Sequence, residues 1–263
     1  MIGKTVERPN KNTNGTLSGH AAGEPFEKNV YHYLKDKYPQ NIYKQYEFLN
    51  DLYLKNPLKI TAEQRYALFD SPTILFLLSR GKDATEKWDP LNIFEEKQND
   101  TADILFHKNG YFELIDVKTR NLSKNAQAPN IISSYKLAQA CSIMIDNNEF
   151  NTFSLNYIEI DWVDSQQILT CKNAHHANIF KSNPEDLYIN WAAAMQIQFH
   201  VCDIRQNWED SPKDWAYCYI RNFVYSAKHR CDEMLQKYVK PFEKYLETYS
   251  SIAASPQSPY GIK

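Results

Sequence analysis

The sequence predicts an α/β fold in which a mixed central β-sheet is flanked by helices. Two strand-like runs, 101–106 and 111–118, are separated by Asn109-Gly110, the strongest short signal for a β-hairpin. A helical run over 132–147 and a further strand over 155–163 follow. This strand–helix–strand order favours a parallel crossover, and strands that alternate with helices indicate the α/β class.

The other elements are assigned in chain order. Residues 1–16 are polar and are expected to form a flexible arm. Helices are predicted from near Pro25, over 62–78, over 187–200 and over 213–238, and a short strand is predicted over 168–171. One main domain is therefore expected over 17–249. The two Ser-Pro pairs in 250–263 indicate a loose tail.

Composition excludes several classes of protein. The 263 residues are 43% apolar and 24% charged, which is ordinary for a globular protein, and the net charge of −2 gives no overall attraction to nucleic acid. The 7 glycines form no phosphate-binding loop, and the 5 cysteines form no CxxC pair. The N-terminus lacks an apolar signal segment. These features predict a cytoplasmic protein with reduced thiols.

Two aspartates are expected to face each other across the hairpin. With a two-residue turn at Asn109-Gly110, Asp103 stands opposite Asp116, and side-chain alternation places Lys118 on the same face. Opposed carboxylates lie close enough to repel each other, and the flanking apolar residues make an unpaired charge costly. A solvated edge hairpin is the alternative interpretation. The combination with an apolar context favours a divalent cation bound between the two aspartates.

Two carboxylates beside a lysine are suited to phosphodiester hydrolysis. Mg²⁺ is often held by one or two carboxylates, with water and phosphate oxygens at its other positions. Such an ion makes water a stronger nucleophile and offsets the negative charge that develops during cleavage. Lys118 would orient the water or stabilise that charge. The hairpin therefore predicts a metal-dependent nuclease.

The loop after the second strand has the composition of a DNA-binding segment. From Val117 to Ile145 the chain has no acidic residue, and its positive charges create a local field for a phosphate backbone. Amide side chains, which pair with base edges, crowd the same loop. The basic residues are Lys118, Arg120, Lys124 and Lys136, and the amides include Asn121, Asn125, Gln127 and Asn130. A solvated basic loop is the plain alternative.

Other conspicuous residues are assigned structural roles. Glu159 and Asp161 are expected on the solvated side of their strand, and His175-His176 in a surface loop before a helix. Glu24 and Glu27 are expected to be solvated or to cap the first helix, although either could reach a metal ion. An apolar stripe at helical spacing is expected to pack in the core; its members are Trp191, Met195 and Phe199.

The hairpin residues resemble the PD-(D/E)xK nuclease signature, with Ala102 where the signature has proline. The likeness extends from about residue 15 to 245 and is closest to the HincII/HindII group of type II restriction endonucleases. Four runs carry it: GTLSGHAAGEPFEK from Gly15, FEEKQNDTADIL from Phe94, AQAPNIIS from Ala126 and LYINWAAAMQIQFH from Leu187. The resemblance implies a restriction-endonuclease-like core.

The resemblance also implies a function and a set of site residues. That group acts as homodimers that cut double-stranded DNA with Mg²⁺ in the middle of GTYRAC, leaving blunt ends. Asp103, Asp116 and the Val117 carbonyl would hold the metal, and Lys118 would be the catalytic lysine. Gln127 would intercalate at the flank of the site. The predicted DNA-binding set is Gln127, Ala128, Asn130, Asn190, His20, Arg120 and Lys124.

The exact recognition sequence stays open, because small changes at reading residues could narrow GTYRAC to a subset such as GTTAAC. A cognate DNA methyltransferase is expected in the same system. Two rival functions also stay open: a structure-selective repair or junction nuclease, and a non-catalytic DNA-binding protein of the same fold. The complete Asp103, Asp116 and Lys118 set argues against the second rival.

Overall fold

A computed structural model describes residues 1–8, 19–45, 48, 71–78, 101–125, 127–165 and 168–252, with backbone only for 19–22 and 247–252. Residue contacts divide the chain into two units, Met1–Ile220 and Arg221–Lys263. Within the described residues, no helix is long and apolar enough to cross a membrane.

The first unit contains a six-stranded mixed sheet with the order β1-β7-β6-β4-β3-β2. Antiparallel pairs join its strands except for β4 and β6, which are parallel. The strands are β1 (Thr5–Glu7), β2 (Ile42–Lys44), β3 (Ile104–Lys108), β4 (Tyr111–Asn121), β6 (Phe153–Asp164) and β7 (Ile168–Asn178). The predicted α/β class, with a mixed sheet and a parallel crossover, is confirmed.

A second, three-stranded sheet has the order β5-β9-β8 and is antiparallel. Its strands are β5 (Asn130–Ser133), β8 (Tyr188–Asn190) and β9 (Gln196–Gln198). The helix predicted over 187–200 is therefore wrong. The Asn190 side chain accepts hydrogen bonds from the Ala192 and Ala193 N–H groups, at 3.0 and 3.1 Å, and so folds the chain into a turn. Trp191, Met195 and Phe199 form no helical stripe.

The helices of the first unit are α1 (Gly19–Lys37), α2 (Pro72–Leu78), α3 (Ser134–Asn147) and the first part of α4 (Pro212–Met234). Ser133 caps α3 by accepting a hydrogen bond from the Lys136 N–H, while Asn148 ends it with positive φ. Short 3₁₀ turns occupy Ile179–Lys181, Pro184–Asp186 and Val201–Asp203. Residues 62–70 of the predicted second helix lie outside the described residues.

The core of the first unit lies between α1 and the large sheet. Phe26 and Val30 of α1 pack with Ile115 and Val117 of β4, and Trp162 of β6 joins the same cluster. Side chains alternate along β4, so Phe112, Leu114, Asp116 and Lys118 share the other side of the strand. The strand that carries the predicted site is therefore fixed by apolar packing through its alternate residues.

The start of the predicted flexible N-terminal arm forms a β-strand in the structure. Residues Thr5–Glu7 form β1 and pair antiparallel with β7, with Val6 opposite Leu169. The edge of the sheet offers unpaired backbone groups that this segment satisfies. Residues 9–18 lie outside the described residues, as do 253–263 of the expected tail, so the expected division into arm, domain and tail stays a prediction.

The second unit, residues 221–263, is helical in its described part. It contains the remainder of α4, a π-helical segment over Leu235–Val239 and α5 (Lys240–Ile252). Pro241 is the second residue of α5, in the first helical turn, where proline is tolerated. Several large apolar side chains are exposed on this unit: Leu235, Tyr238, Val239, Phe242, Tyr245 and Leu246.

Candidate active site

The β3–β4 hairpin has the register that the sequence predicts. Asn109 and Gly110 form the turn with φ values of 52° and 73°, and Lys108 pairs with Tyr111. Positive φ at both central residues is typical of the tight hairpin turns whose twist matches that of the strands. The ladder runs to Ile104 opposite Ile115, so Asp103, just before β3, and Asp116 of β4 stand at the next step.

The two aspartates meet, as the hairpin predicts. Their carboxyl groups lie close enough to interact and line the same space, and Asp103 Oδ2 accepts a hydrogen bond from the Val117 N–H at 2.7 Å. Burial, then the charge of Asp116 and the hydrogen bond to it, raises the pKa of Asp103 from 3.8 to about 7. The Val117 bond and Lys118 offset only part of this effect. The pair thus carries a repulsion that protein groups leave partly unrelieved.

Lys118 supplies the positive charge nearest to the pair. Its Nζ lies 2.6 Å from Asp116 Oδ2, and its side chain is 24% exposed. Burial lowers the pKa of Lys118, but the charge and hydrogen bond of Asp116, together with Asp103, raise it above its ordinary value. The lysine is therefore a cation held against the carboxylates, at a position where a phosphate group entering the site would meet it.

These side chains line an open cavity of about 570 Å³. Helix α1 forms one wall, β4 another, and the segment leading into β5 a third. The lining residues are Gly23, Glu24, Glu27, Asp103, Asp116, Val117, Lys118, Thr119, Pro129 and Asn130. The hairpin charges and one amide of the basic loop therefore face the same space.

Two further acids lie on β6, next to the hairpin, and both were expected to be solvated. That prediction is wrong, because Glu159 and Asp161 are both fully buried. Glu159 pairs with His200 Nδ1 at 2.8 Å and accepts the Val201 N–H at 2.7 Å. Both partners of Glu159 are distant from it in sequence. The local sequence pattern of β6 therefore does not reveal why this acid can be buried.

Asp161 is compensated in the same way. Arg120 of β4 donates Nε and Nη2 to its two oxygens, each at 2.8 Å, while His175 and Asn173 of β7 lie at 3.0 and 3.3 Å. Burial alone would raise the pKa of Asp161. These hydrogen bonds lower it by more than burial raises it, so the pKa lies below its ordinary value. His175 and His176 lie on β7 and not in the predicted surface loop.

Comparison with known proteins identifies the family. The family model described as Restriction endonuclease HincII matches residues 1–246. The type II restriction enzyme HindII of Haemophilus influenzae strain Rd is 58% identical over 246 residues, which is 94% of each chain. The type II restriction enzyme HincII of Haemophilus influenzae gives the same identity and coverage. The chain belongs to the HincII restriction endonuclease family.

The residues of this HincII-family chain fit the divalent metal ion that type II restriction endonucleases generally need. Asp103 and Asp116 present hard oxygen ligands whose mutual repulsion a cation would relieve. Across the described ranges, no group of three or more His, Cys, Asp or Glu side chains is arranged to hold a metal. The fit is therefore to a divalent ion that completes its shell with backbone, water or phosphate oxygens.

The predicted DNA-binding residues fall into three sets. Asn130 lines the cavity, and its side chain is linked through Gln198 to Asn190. Gln127 and Lys124 are exposed on the basic loop, with Ala128 half-buried beside them. Arg120 is committed to Asp161, and the His20 side chain lies outside the described residues. The DNA contacts themselves stay predictions.

Two acids and one amide lie at functional positions that their local sequence indicates weakly or not at all. Glu24 and Glu27 of α1 line the cavity, where Glu24 pairs with Lys28 at 2.7 Å and Glu27 with Lys44. Their spacing gave the only usable signal, since residues three apart share a helix face. Gln198 was missed because it follows Asn190 across a turn that was predicted to be helical.

Proposed function

We propose that this HincII-family chain is a type II restriction endonuclease that hydrolyses double-stranded DNA with Mg²⁺, in the centre of GTYRAC or of a subset such as GTTAAC. The single observation that carries the chemistry is the contact between Asp103 and Asp116, with Lys118 2.6 Å from the latter. The 58% identity to HindII and HincII supports the sequence specificity.

The side chains have separate tasks in this proposal. Asp103 and Asp116, with the Val117 carbonyl, would hold the ion, which when bound strengthens water as a nucleophile and offsets charge on the phosphodiester. The hydrogen bond from the Val117 N–H fixes the Asp103 carboxylate beside Asp116. Lys118 places a positive charge beside the scissile phosphate and stabilises the negative charge that grows there.

The loop and the small sheet would read the DNA. Asn130 lies at the cavity wall and Asn190 is linked to it, so both would reach base edges of a duplex bound over the carboxylates. Gln127 and Ala128 would contact the flank of the site, where Gln127 inserts between base pairs. Lys124 would add positive charge for the phosphate backbone, Arg120 would support the DNA-facing surface from its pair with Asp161, and His20 would lie near the active site.

A palindromic site cut in both strands calls for two copies of the chain. We propose a homodimer, because a two-fold axis places one active site on each strand. The exposed apolar side chains of the second unit, such as Phe242 and Tyr245, are of the kind that subunit contacts cover. The enzyme would act in the cytoplasm together with a cognate DNA methyltransferase that protects the host site.

Mapping of the fragment ends tests the specificity. Digestion of a plasmid of known sequence with Mg²⁺ should give discrete blunt fragments whose ends fall between the central Y and R of GTYRAC. Cutting confined to branched substrates would instead support the repair or junction nuclease. Sequence-specific binding without any nicking would support the non-catalytic protein.

Substitution of the carboxylates tests the chemistry. Asp116→Asn should abolish cleavage while specific DNA binding, measured with Ca²⁺, stays close to that of the wild type. Lys118→Met should slow single-turnover cleavage by at least about a hundredfold and change binding far less. Matched controls are Asp186→Asn on an exposed 3₁₀ turn and Lys108→Met at the turn end of the same hairpin. Normal cleavage by Asp116→Asn refutes the metal role.

A further inference from the structure

Three amide side chains form a hydrogen-bonded row across the small sheet. Asn190 Nδ2 donates to Gln198 Oε1 at 2.9 Å, and Gln198 Nε2 donates to Asn130 Oδ1 at 2.7 Å. The strand order β5-β9-β8 puts Gln198 in the middle, directly opposite Asn130 on one side and Tyr188 on the other. We name Asn190, Gln198 and Asn130 the amide row.

The direction of the amide row is fixed at one end by the backbone. Asn190 Oδ1 accepts the Ala192 and Ala193 N–H groups at 3.0 and 3.1 Å. A backbone N–H can only donate, so the oxygen of Asn190 must face the turn and its Nδ2 must face Gln198. Gln198 is then forced to accept from Asn190 with its oxygen and to donate to Asn130 with its nitrogen.

The consequence at the far end is that Asn130 has a defined polarity. Its Oδ1 is occupied by Gln198, while its Nδ2 meets no acceptor among the residues that the structure describes. Asn130 is also the exposed member of the row and lines the cavity that holds Asp103, Asp116 and Lys118. A ligand in the cavity therefore meets hydrogen-bond donors at this position.

The local backbone is shaped to hold this arrangement. A β-bulge between Asn130 and Ile132 shifts the register, so that Asn130 faces Gln198 while Ile132 faces Ile197. The turn before β9 contains two non-glycine residues with positive φ, Ala194 at 52° and Met195 at 58°. Bulges and left-handed residues of this kind commonly serve to aim a side chain at a site.

We propose that Gln198 is a specificity-determining positioning residue, which turns Asn130 so that its NH₂ group faces the acceptor atoms of a base edge. This inference rests on the proposed function, since it concerns how that enzyme selects its site. Purine N7, guanine O6 and thymine O4 are the acceptors that a donor amide recognises in the major groove. Gln198 acts through Asn130 and touches no reacting atom.

Gln198→Glu tests the polarity of the amide row. The new carboxylate still accepts from Asn190 but cannot donate, so Asn130 must rotate and present its oxygen instead. We expect kcat/KM at the cognate site to fall about five- to a hundredfold, the range of one base contact, and the preference over sites with one changed base pair to weaken. Gln198→Met, which frees Asn130 to take both orientations, should weaken the preference with a smaller loss at the cognate site.

Gln196→Glu and Gln196→Met are the matched controls. Gln196 lies two residues earlier on β9 and outside the amide row, so it carries the same change of charge and size without reversing Asn130. If Gln198→Glu and Gln196→Glu both reduce cleavage equally at cognate and changed sites, the cause is repulsion of phosphate by the new charge, and the inference is overturned. Unchanged discrimination in both Gln198 variants, with normal thermal unfolding, would overturn it as well.

The wild-type enzyme separates this inference from the proposed function. Specific cleavage by the wild type together with unchanged discrimination in the Gln198 variants rejects the positioning role alone. Absence of Mg²⁺-dependent cleavage in the wild type rejects the proposed function; equal discrimination between cognate and changed sites in DNA binding by the wild type and the Gln198 variants would then reject the positioning role as well. Altered discrimination in the Gln198 variants, with both Gln196 variants unchanged, supports both.

Discussion

Two acidic pairs on neighbouring strands of one sheet differ in how their charges are compensated. Glu159 and Asp161 on β6 are fully buried, yet an arginine, two histidines, an asparagine and a backbone N–H bind their oxygens. Asp103 and Asp116 on the hairpin contact each other and share one lysine. Burial alone therefore does not mark a functional acid. The shortage of partners does, because it leaves the site ready for a cation.

The strand register explains how the two pairs are kept apart. In the parallel β4–β6 ladder, Lys118 lies beside Glu159 and Arg120 beside Asp161. Arg120 has both Asp161 oxygens as partners, whereas Lys118 is engaged with Asp116. Two basic residues on the same side of β4, two positions apart, thus bind different acids. Arg120 completes a structural network with Asp161, and Lys118 remains in the cavity with Asp116.

The largest effect on stability is expected when the compensated pair is broken. Asp161→Asn leaves the Arg120 guanidinium without its counter-charge and should lower the free energy of unfolding by about 3–5 kcal/mol at pH 7. Because the folded-state pKa of Asp161 lies below 3.8, its stabilisation is present above that pH and is lost as the pH falls further. Urea unfolding at pH 7 and pH 3 measures this difference, with Asp186→Asn as control. Equal stability at pH 7 would show that the network is dispensable.

The opposite effect on stability is expected when a charge is removed from the uncompensated pair, Asp103 and Asp116. Asp103 has its pKa raised from 3.8 to about 7, so the folded state is favoured below pH 3.8 and loses that advantage as the pH rises through 7. Asp103→Asn should therefore stabilise the protein at pH 8 by up to about 4 kcal/mol while abolishing cleavage. Urea unfolding in EDTA at pH 8 and pH 4 should show a gain at the first pH only. A less stable variant at pH 8 would contradict the comparison.

Metal binding should supply the charge compensation that Asp103 and Asp116 lack, and so should stabilise the folded protein. At a hundred times its dissociation constant, Mg²⁺ should stabilise the wild type by about 2.7 kcal/mol at pH 8, because it binds the folded state. Asp103→Asn and Asp116→Asn should gain little, and Asp186→Asn should gain as much as the wild type. Thermal unfolding with and without EDTA measures this gain. Equal gains in all four proteins would place the ion elsewhere.

A smaller effect on stability is expected from the hydrogen bond of Ala102, the residue before Asp103. The Ala102 N–H is buried and donates to Gln45 Oε1 at 3.0 Å, and Gln45 Nε2 lies 3.4 Å from the Leu78 carbonyl. Gln45→Leu should cost about 1–3 kcal/mol, because it leaves that N–H without an acceptor. Thermal unfolding and single-turnover cleavage measure the loss.

Ala102→Pro provides the matching rescue. Proline has no N–H and is the residue of the nuclease signature at this position, so adding it to Gln45→Leu should restore part of the lost stability. If the two single changes simply add in the double variant, the loss in Gln45→Leu does not come from the unpaired Ala102 N–H.

Local signals account for the part of the site that the sequence could predict. Asn109-Gly110 determines a two-residue turn, and the turn determines which residues oppose each other, so Asp103, Asp116 and Lys118 follow from counting. The crossover to β6 and helix α3 were also recovered from their apolar spacing.

Long-range partners account for most of the errors. Glu159 is buried because His200 and Val201, distant in sequence, satisfy it. The apolar spacing of residues 187–200 fits a helix, but the Asn190 side chain binds the following backbone and reverses the chain. Glu24 and Glu27 reach the cavity only because α1 packs on β4. The Asn190 turn is local but competes with a helical pattern, whereas the burial of Glu159 and the packing of α1 on β4 depend on contacts distant in sequence.

The alternation of β4 has a consequence for how this chain can change during evolution. Ile115 and Val117 belong to the apolar cluster, while Asp116 and Lys118 face the cavity. Gain or loss of one amino acid between positions 103 and 116 would slide the ladder by a step and exchange the two sides, sending charge into the interior. Length variation among relatives should therefore be absent from this stretch and fall in loops beyond it.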